Sequence, residues 1–205
     1  KYFEIDEVGN VIEMIANITD DFTIELDKSD KMAPIIDSLN RQLMLDPLTK
    51  VYNRRFLDSN FVPSLNCCLD LATTVNVAIM DIDDFKIIND TFGHMSGDML
   101  LKDIASFRQL QFNSRENNKE RLVVRIGGDE FLVIGCGLSG DNFRNLIDKY
   151  YSEMRKTCYY DCDKEFHFNV SIGYSSSDDL MEGWSWEQLL SLADKDMYAK
   201  KSVKE

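Results

Sequence analysis

Two groups of carboxylates are placed where they could do chemistry together. Asp81-Ile82-Asp83-Asp84 follows Val75–Met80, an apolar run of strand length. Asp129-Glu130 lies in Gly127-Gly128-Asp129-Glu130, a hairpin signal between the β-rich runs Leu122–Ile126 and Phe131–Ile134. Acidic side chains at the end of a buried strand are costly unless they meet solvent, cations or donors. Taken singly, each group reads as a solvated turn. On neighbouring strands they would form a hard, oxygen-rich site suited to Mg²⁺ or Mn²⁺.

The bulk properties narrow what such a site could serve. The 205 residues are 44% hydrophobic and 29% charged, enough for a normal core. The net charge of −13 opposes binding to nucleic-acid backbones, which repel negative charge. An anionic substrate is compatible only if metal ions neutralise the site locally. No run of ~18 apolar residues is present, so no membrane contact is expected from this segment. The five cysteines, Cys67, Cys68, Cys136, Cys158 and Cys162, are odd in number and include no CxxC pair. That pattern suits reduced thiols in a cytoplasmic protein, and it lacks the ligand spacing usual for structural zinc.

The elements that must position the carboxylates alternate between helix and strand. Tyr2–Asp6 and Val11–Ile15 read as short strands around a turn at Glu7–Asn10. Met32, Ile36, Leu39 and Leu43 form one apolar stripe on a helix over Lys31–Leu45, either a short dimerising coil or a face packed on the domain. Further on, Arg54–Phe61 reads as helix and Val75–Met80 as strand. Leu100, Leu101, Ile104 and Phe107 share a helix face. The hairpin follows, then a helix over Asp141–Lys156, a strand over Phe166–Tyr174 and a helix over Trp186–Lys201. Alternation with one central hairpin predicts an α/β (α+β) fold built on a mixed sheet.

Gly127-Gly128-Asp129-Glu130-Phe131 resembles the signature of GGDEF-domain diguanylate cyclases without a mismatch. Asp46-Pro47-Leu48-Thr49 and Asn53-Arg54-Arg55 resemble that family's opening motif. Asp81–Lys86, Asn89-Asp90, Phe92-Gly93-His94 and Gly97-Asp98 resemble its metal and nucleotide segment. Arg125, Ser171-Ile172-Gly173, Ala193-Asp194 and Met197-Tyr198 also fall in order. The resemblance assigns 46–205 to the cyclase domain and 27–45 to a linker or signalling helix. Residues 1–26 resemble the tail of an upstream PAS-like sensor, with a local hairpin as the alternative.

The resemblance implies a central mixed sheet of about five strands flanked by helices, like the palm of nucleotidyl cyclases and polymerases. It also implies condensation of two GTP into cyclic di-GMP and pyrophosphate, at the interface of a homodimer carrying two Mg²⁺ or Mn²⁺ ions per site. Asp81, Asp129, Glu130 and the carbonyl of Ile82 would hold metal, with Asp129 and Glu130 catalytic. Gly127 and Gly128 would let the backbone approach the nucleotide. The N–H groups of the Asp83-Asp84-Phe85 turn would meet the β- and γ-phosphates, with Lys86 and Lys201 adding charge. Both lysines can equally be solvated surface residues. Asn89 and Asp98 would read guanine, since a carboxylate accepts from N1–H and the 2-amino group together, and adenine leaves it unpaired. His94 is either a nucleotide contact or a structural histidine.

Two positions depart from the family pattern. Asn118-Lys119-Glu120-Arg121 stands where an inhibitory Arg-x-x-Asp product site ends, so that site is expected to be absent. Glu205, beside Lys204, replaces an Arg that usually follows the helix lysine. The rival functions are a catalytically silent GTP-binding signalling module and a cyclase making a different dinucleotide.

Overall fold

The computed structural model describes residues 38–40, 42–66, 74–106, 121–161, 164–181 and 183–202. Strand β1 (Tyr52–Asn53) leads into α1, a helical segment made of Arg54–Phe56, a π-turn at Leu57–Phe61 and Val62–Asn66. Next come β2 (Val75–Ile82), α2 (Phe85–Ala105), β3 (Arg121–Arg125), β4 (Glu130–Cys136) and α3 (Gly140–Met154). The small strands β5 (Tyr159–Asp161) and β6 (Lys164–Phe166) precede β7 (Val170–Ser176) and α4 (Trp186–Lys201). The main sheet has five strands in the order β1-β3-β4-β2-β7. It is mixed, because β1 pairs with β3 in parallel and the other pairs are antiparallel.

Alternation along β2 explains why its sequence reads as continuous apolar residues. Val75, Val77 and Ile79 pack with Trp186 and Leu189 of α4. Ala78, Met80 and Ile82 pack with Ile88 and Leu100 of α2 and with Phe143 and Ile147 of α3. A strand covered on both faces has no polar side to show. The sheet therefore lies between two helical layers, with α1 and α4 on one side and α2 and α3 on the other.

The expected helices and strands are present with shifted ends, and three local readings change. The single strand expected over Phe166–Tyr174 is two strands: β6 pairs with β5, while β7 pairs with β2. Inward Phe166, Phe168 and Val170 keep alternating with outward residues across the change of partner, so periodicity alone does not reveal the break. Helix α2 begins earlier than its apolar face suggested and is broken at Gly93 (φ 81°, ψ 160°), a conformation that suits glycine. Strand β1 is only two residues long and carries no periodic signal. Of the Lys31–Leu45 helix, residues 38–40 and 42–43 are helical, and Leu39 and Leu43 are exposed rather than packed on the domain. The N-terminal strand pair, most of the linker, Phe107 and residues 203–205 lie outside the described residues. Among the described residues no helix is long and apolar enough to cross a membrane.

Helix α4 starts at a capping box, in which Ser185 and Gln188 each accept from the other's backbone N–H. It then runs unusually close to β7. A Cβ at Gly173 would collide with the backbone carbonyl of Ala193 and the amide of Met197. Backbone cannot rotate away as a side chain can, so Gly173→Ala should destabilise the domain by about 1–3 kcal/mol, read as a lower midpoint in urea unfolding.

Candidate active site

The strand alternation aims the carboxylates. Asp81 continues the series Val75, Val77, Ile79 and so falls on the α4 face, and Glu130 continues Leu132 and Ile134 onto that same face. Asp81 and Glu130 are direct cross-strand partners in the β2–β4 register. Asp129 sits one residue before, in the hairpin tip, close enough to Asp81 to feel its charge. Lys201, in the last turn of α4, reaches the same point and places its ammonium 2.5 Å from an Asp81 carboxylate oxygen.

The electrostatics describe a site short of positive charge. Burial pushes the Asp129 carboxyl above its ordinary value, and the neighbouring Asp81 carboxylate pushes it further the same way. Lys201 is moved up by its hydrogen bond to Asp81, with Asp83 and Asp129 adding to the attraction, so it stays cationic. An all-oxygen donor set, with carboxylates placed near one another and an ammonium drawn onto one of them, fits the residues for a hard divalent cation.

The hairpin tip is held from outside the site. Arg125 donates to the Gly128 carbonyl from Nη2 at 2.6 Å and from Nε at 3.2 Å. Its other nitrogen, Nη1, donates to Asp46 at 3.0 Å. Asp46 also accepts from the Thr49 backbone N–H and hydroxyl, at 2.8 and 2.6 Å. Asn53 completes the opening segment, accepting from the Phe56 amide and donating to the carbonyls of Leu43 and Leu45. At Gly127 a Cβ would strike the Glu130 carboxylate, so this glycine makes room for an acidic side chain.

On the other side, the turn after β2 leads into α2. Asp84, with φ of 57° and ψ of 27°, is a left-handed N-cap whose side chain makes no capping hydrogen bond. The expectation for this turn needs one correction. The Asp83 amide donates to the Asn169 carbonyl at 2.9 Å, and the Asp83 carboxylate accepts from Ser171 at 2.6 Å. Asp83 thus ties the turn to the start of β7, and its N–H is already committed. Phe85 is half-buried and Lys86 exposed at the helix start.

The break at Gly93 folds α2 into an elbow, bridged by a hydrogen bond from the Ser96 hydroxyl to the Phe92 carbonyl. Gly97 then lies against the Asn89 carboxamide and the Phe85 ring, where a Cβ would not fit. The elbow so brings half-buried Asn89 beside the backbone that precedes exposed Asp98. His94 is exposed, which does not suit a packed structural histidine.

A family model described as "Diguanylate cyclase, GGDEF domain" matches residues 43–205. The chain belongs to that family. Similar curated proteins include the diguanylate cyclases DosC and DgcP of Escherichia coli strain K12. DosC is 30% identical over 158 residues, covering 77% of this chain and 33% of DosC. DgcP is 30% identical over 169 residues, covering 82% of this chain and 47% of DgcP. The chain therefore spans between a third and a half of these relatives. The coiled coil and GGDEF domain of DgcB from Caulobacter crescentus, solved in complex with c-di-GMP, superposes with a TM-score of 0.73. Identity there is 22%, over 94% of this chain and 95% of that one, which supports the shared fold.

Within this GGDEF domain, the bracing roles of Arg125 and Asp46, and the tie that the Asp83 side chain makes to β7, are not readable from the sequence. Motif positions marked them, but only the pairing partners reveal that they hold the loops. Burial pushes the Asp46 carboxyl up, yet the hydrogen bonds from Thr49 and Arg125 outweigh it and leave it below the ordinary value. A depressed carboxyl contributes stability that is complete above its unfolded value and is lost as pH falls through the folded one. Arg125→Ala should cost about 1–3 kcal/mol near neutral pH, by leaving a half-buried carboxylate without its charged donor. Its deficit against wild type should shrink as pH drops through the carboxylate range, in chemical unfolding at a series of pH values.

Proposed function

We propose that this domain is an active diguanylate cyclase, condensing two GTP into cyclic di-GMP and two pyrophosphates. The observation that carries the reading is the convergence of Asp81, Asp129 and Glu130 at one end of the sheet, with the Lys201 ammonium drawn onto Asp81. The family membership and the similar curated cyclases support it.

Asp81, Asp129 and Glu130, with the Ile82 carbonyl, would hold two Mg²⁺ or Mn²⁺ ions. When bound, the ions supply charge that stabilises the attacking 3′-oxygen, the α-phosphoryl group and the leaving pyrophosphate. The chain's own residues orient the reaction. Glu130 helps take the proton of the ribose 3′-hydroxyl of one GTP. That oxygen forms a bond to the α-phosphorus of the other GTP, and the bond to pyrophosphate breaks. A second, symmetrical attack closes the ring. The uncapped first turn of α2, at Asp84, Phe85 and Lys86, binds the β- and γ-phosphates. Lys201 stays charged and turns from Asp81 to phosphate. Asn89 and Asp98 read guanine in the elbow of α2, and His94 borders the nucleotide there. Gly127 and Gly128 admit it at the hairpin tip.

Each half-reaction needs two loaded domains, so turnover requires a homodimer. The exposed Leu39 and Leu43 on a helical segment support a pairing surface for a second copy. In the full-length protein that helix would couple the domain to an upstream sensor. The substrate and the odd cysteine count without a CxxC pair favour the cytoplasm. Arg121, where the family's product site would present an acidic residue, is half-buried at the start of β3, which supports loss of product inhibition.

The test is incubation with GTP and Mg²⁺ and chromatographic separation of products. Cyclic di-GMP is expected from the wild type, with a specific activity that rises with protein concentration. The Asp129→Ala, Glu130→Ala double variant should be slower by more than about 100-fold, the scale of removing a transition-state electrostatic contact. GTP binding without product at dimer-forming concentrations would instead establish a silent binding module.

A further inference from the structure

The β5–β6 hairpin carries a second set of metal-ligating side chains. Tyr159 pairs with Phe166 across the hairpin, and both rings are buried in the α2–α3 core. Alternation sends their neighbours outward: Glu165 and His167 flank Phe166 and are exposed, and half-buried Cys158 immediately precedes Tyr159. The Cys158 thiol, a Glu165 carboxylate oxygen and a His167 ring nitrogen all lie within 4.8 Å of one another. His167 Nε2 is 3.1 Å from Glu165 Oε1.

We propose that Cys158, Glu165 and His167 form a Zn²⁺ site on the outer face of this hairpin, separate from the carboxylate site. One thiolate, one imidazole and one carboxylate make a three-ligand set of borderline softness, suited to Zn²⁺ with water in the fourth position, and ill suited to Mg²⁺. His167 and Glu165 are exposed, so the ion has a path from solvent. The absence of a CxxC pair does not bear on this set, because the reversal of the chain between β5 and β6 brings Cys158 back to Glu165 and His167.

The hairpin is also tied to the nucleotide side of the fold. Phe166 stacks on Phe92 of α2 with centroids 4.4 Å apart, next to the Gly93 elbow. The Tyr159 hydroxyl donates to Asp103 of α2 at 2.9 Å. Shortly after His167, the Asn169 carbonyl holds the Asp83 amide. A cation clipping the two strands together would act on the segment that backs the elbow.

The test uses Co²⁺ as a spectroscopic stand-in on the fully reduced chain, followed by displacement with Zn²⁺. The carboxylate site contains no sulfur, so a thiolate-to-cobalt absorption band reports only a cysteine site. One equivalent giving that band is expected, displaced stoichiometrically by Zn²⁺. The band should persist in Cys67→Ser, Cys68→Ser. In Cys158→Ser it should vanish, and in His167→Ala affinity should fall by at least the ~10–100-fold that losing even a supporting contact costs a metal site. No thiolate band in the wild type, or a band and affinity unchanged in either of the last two variants, would overturn the assignment.

Discussion

Where the paired strands β2 and β4 meet the hairpin tip, Asp81 stands opposite Glu130 with Asp129 beside them, and the surrounding fold holds these like charges near one another. Two unit charges ~4 Å apart repel by about 4 kcal/mol at an effective dielectric near 20. Asp81 and Glu130 cannot separate, because strand pairing fixes them opposite one another on one face. The response is visible in the Lys201 ammonium drawn to Asp81, while the Asp129 carboxyl is pushed up first by burial and then by the Asp81 charge. A site whose carboxylates are locked together by a sheet favours a small, doubly charged cation more than a loop of the same composition would, because the loop can relax.

The surroundings keep the site from relaxing in other ways. Arg125 links the Gly128 carbonyl to Asp46, so the hairpin tip is braced against the segment that begins the domain. On the opposite side Asp83 spends both its amide and its carboxylate on β7 and the residue before it. Helix α4 delivers Lys201 on the face of the sheet that carries Asp81. It comes close enough to do so only because Gly173 lets its backbone lie against β7. These contacts do not touch a substrate in any obvious way, yet they decide where the carboxylates can be.

Much of this was legible from residue patterns. The apolar run ending at Met80 and the hairpin around Gly127-Gly128 located the central strands. Of the carboxylates that follow them in sequence, Asp81 and Glu130 stand opposite one another in the strand register, and Asp129 is near enough to Asp81 to feel its charge. The five-strand mixed sheet agrees with the expectation drawn from the family resemblance. Three things were hidden for physical reasons. Strand periodicity passed through the β6–β7 junction without interruption, because the inward rhythm of Phe166, Phe168 and Val170 persists while the hydrogen-bonding partner changes. The elbow in α2 depends on one glycine dihedral, whereas glycines within helices are usually read only as weak points. The Cys158, Glu165 and His167 cluster depends on the chain reversing between β5 and β6, which no local spacing rule records.

The account rests on Asp81 and its neighbours taking divalent cations alongside GTP. The most direct measurement is an electron paramagnetic resonance titration of Mn²⁺ into the domain with a non-cyclisable GTP analogue, for wild type and Asp81→Asn. Loss of one charge from a cluster locked in place should weaken Mn²⁺ binding at least ~10-fold, by about 1.4 kcal/mol or more. Analogue-dependent Mn²⁺ binding of undiminished affinity in Asp81→Asn would contradict the account.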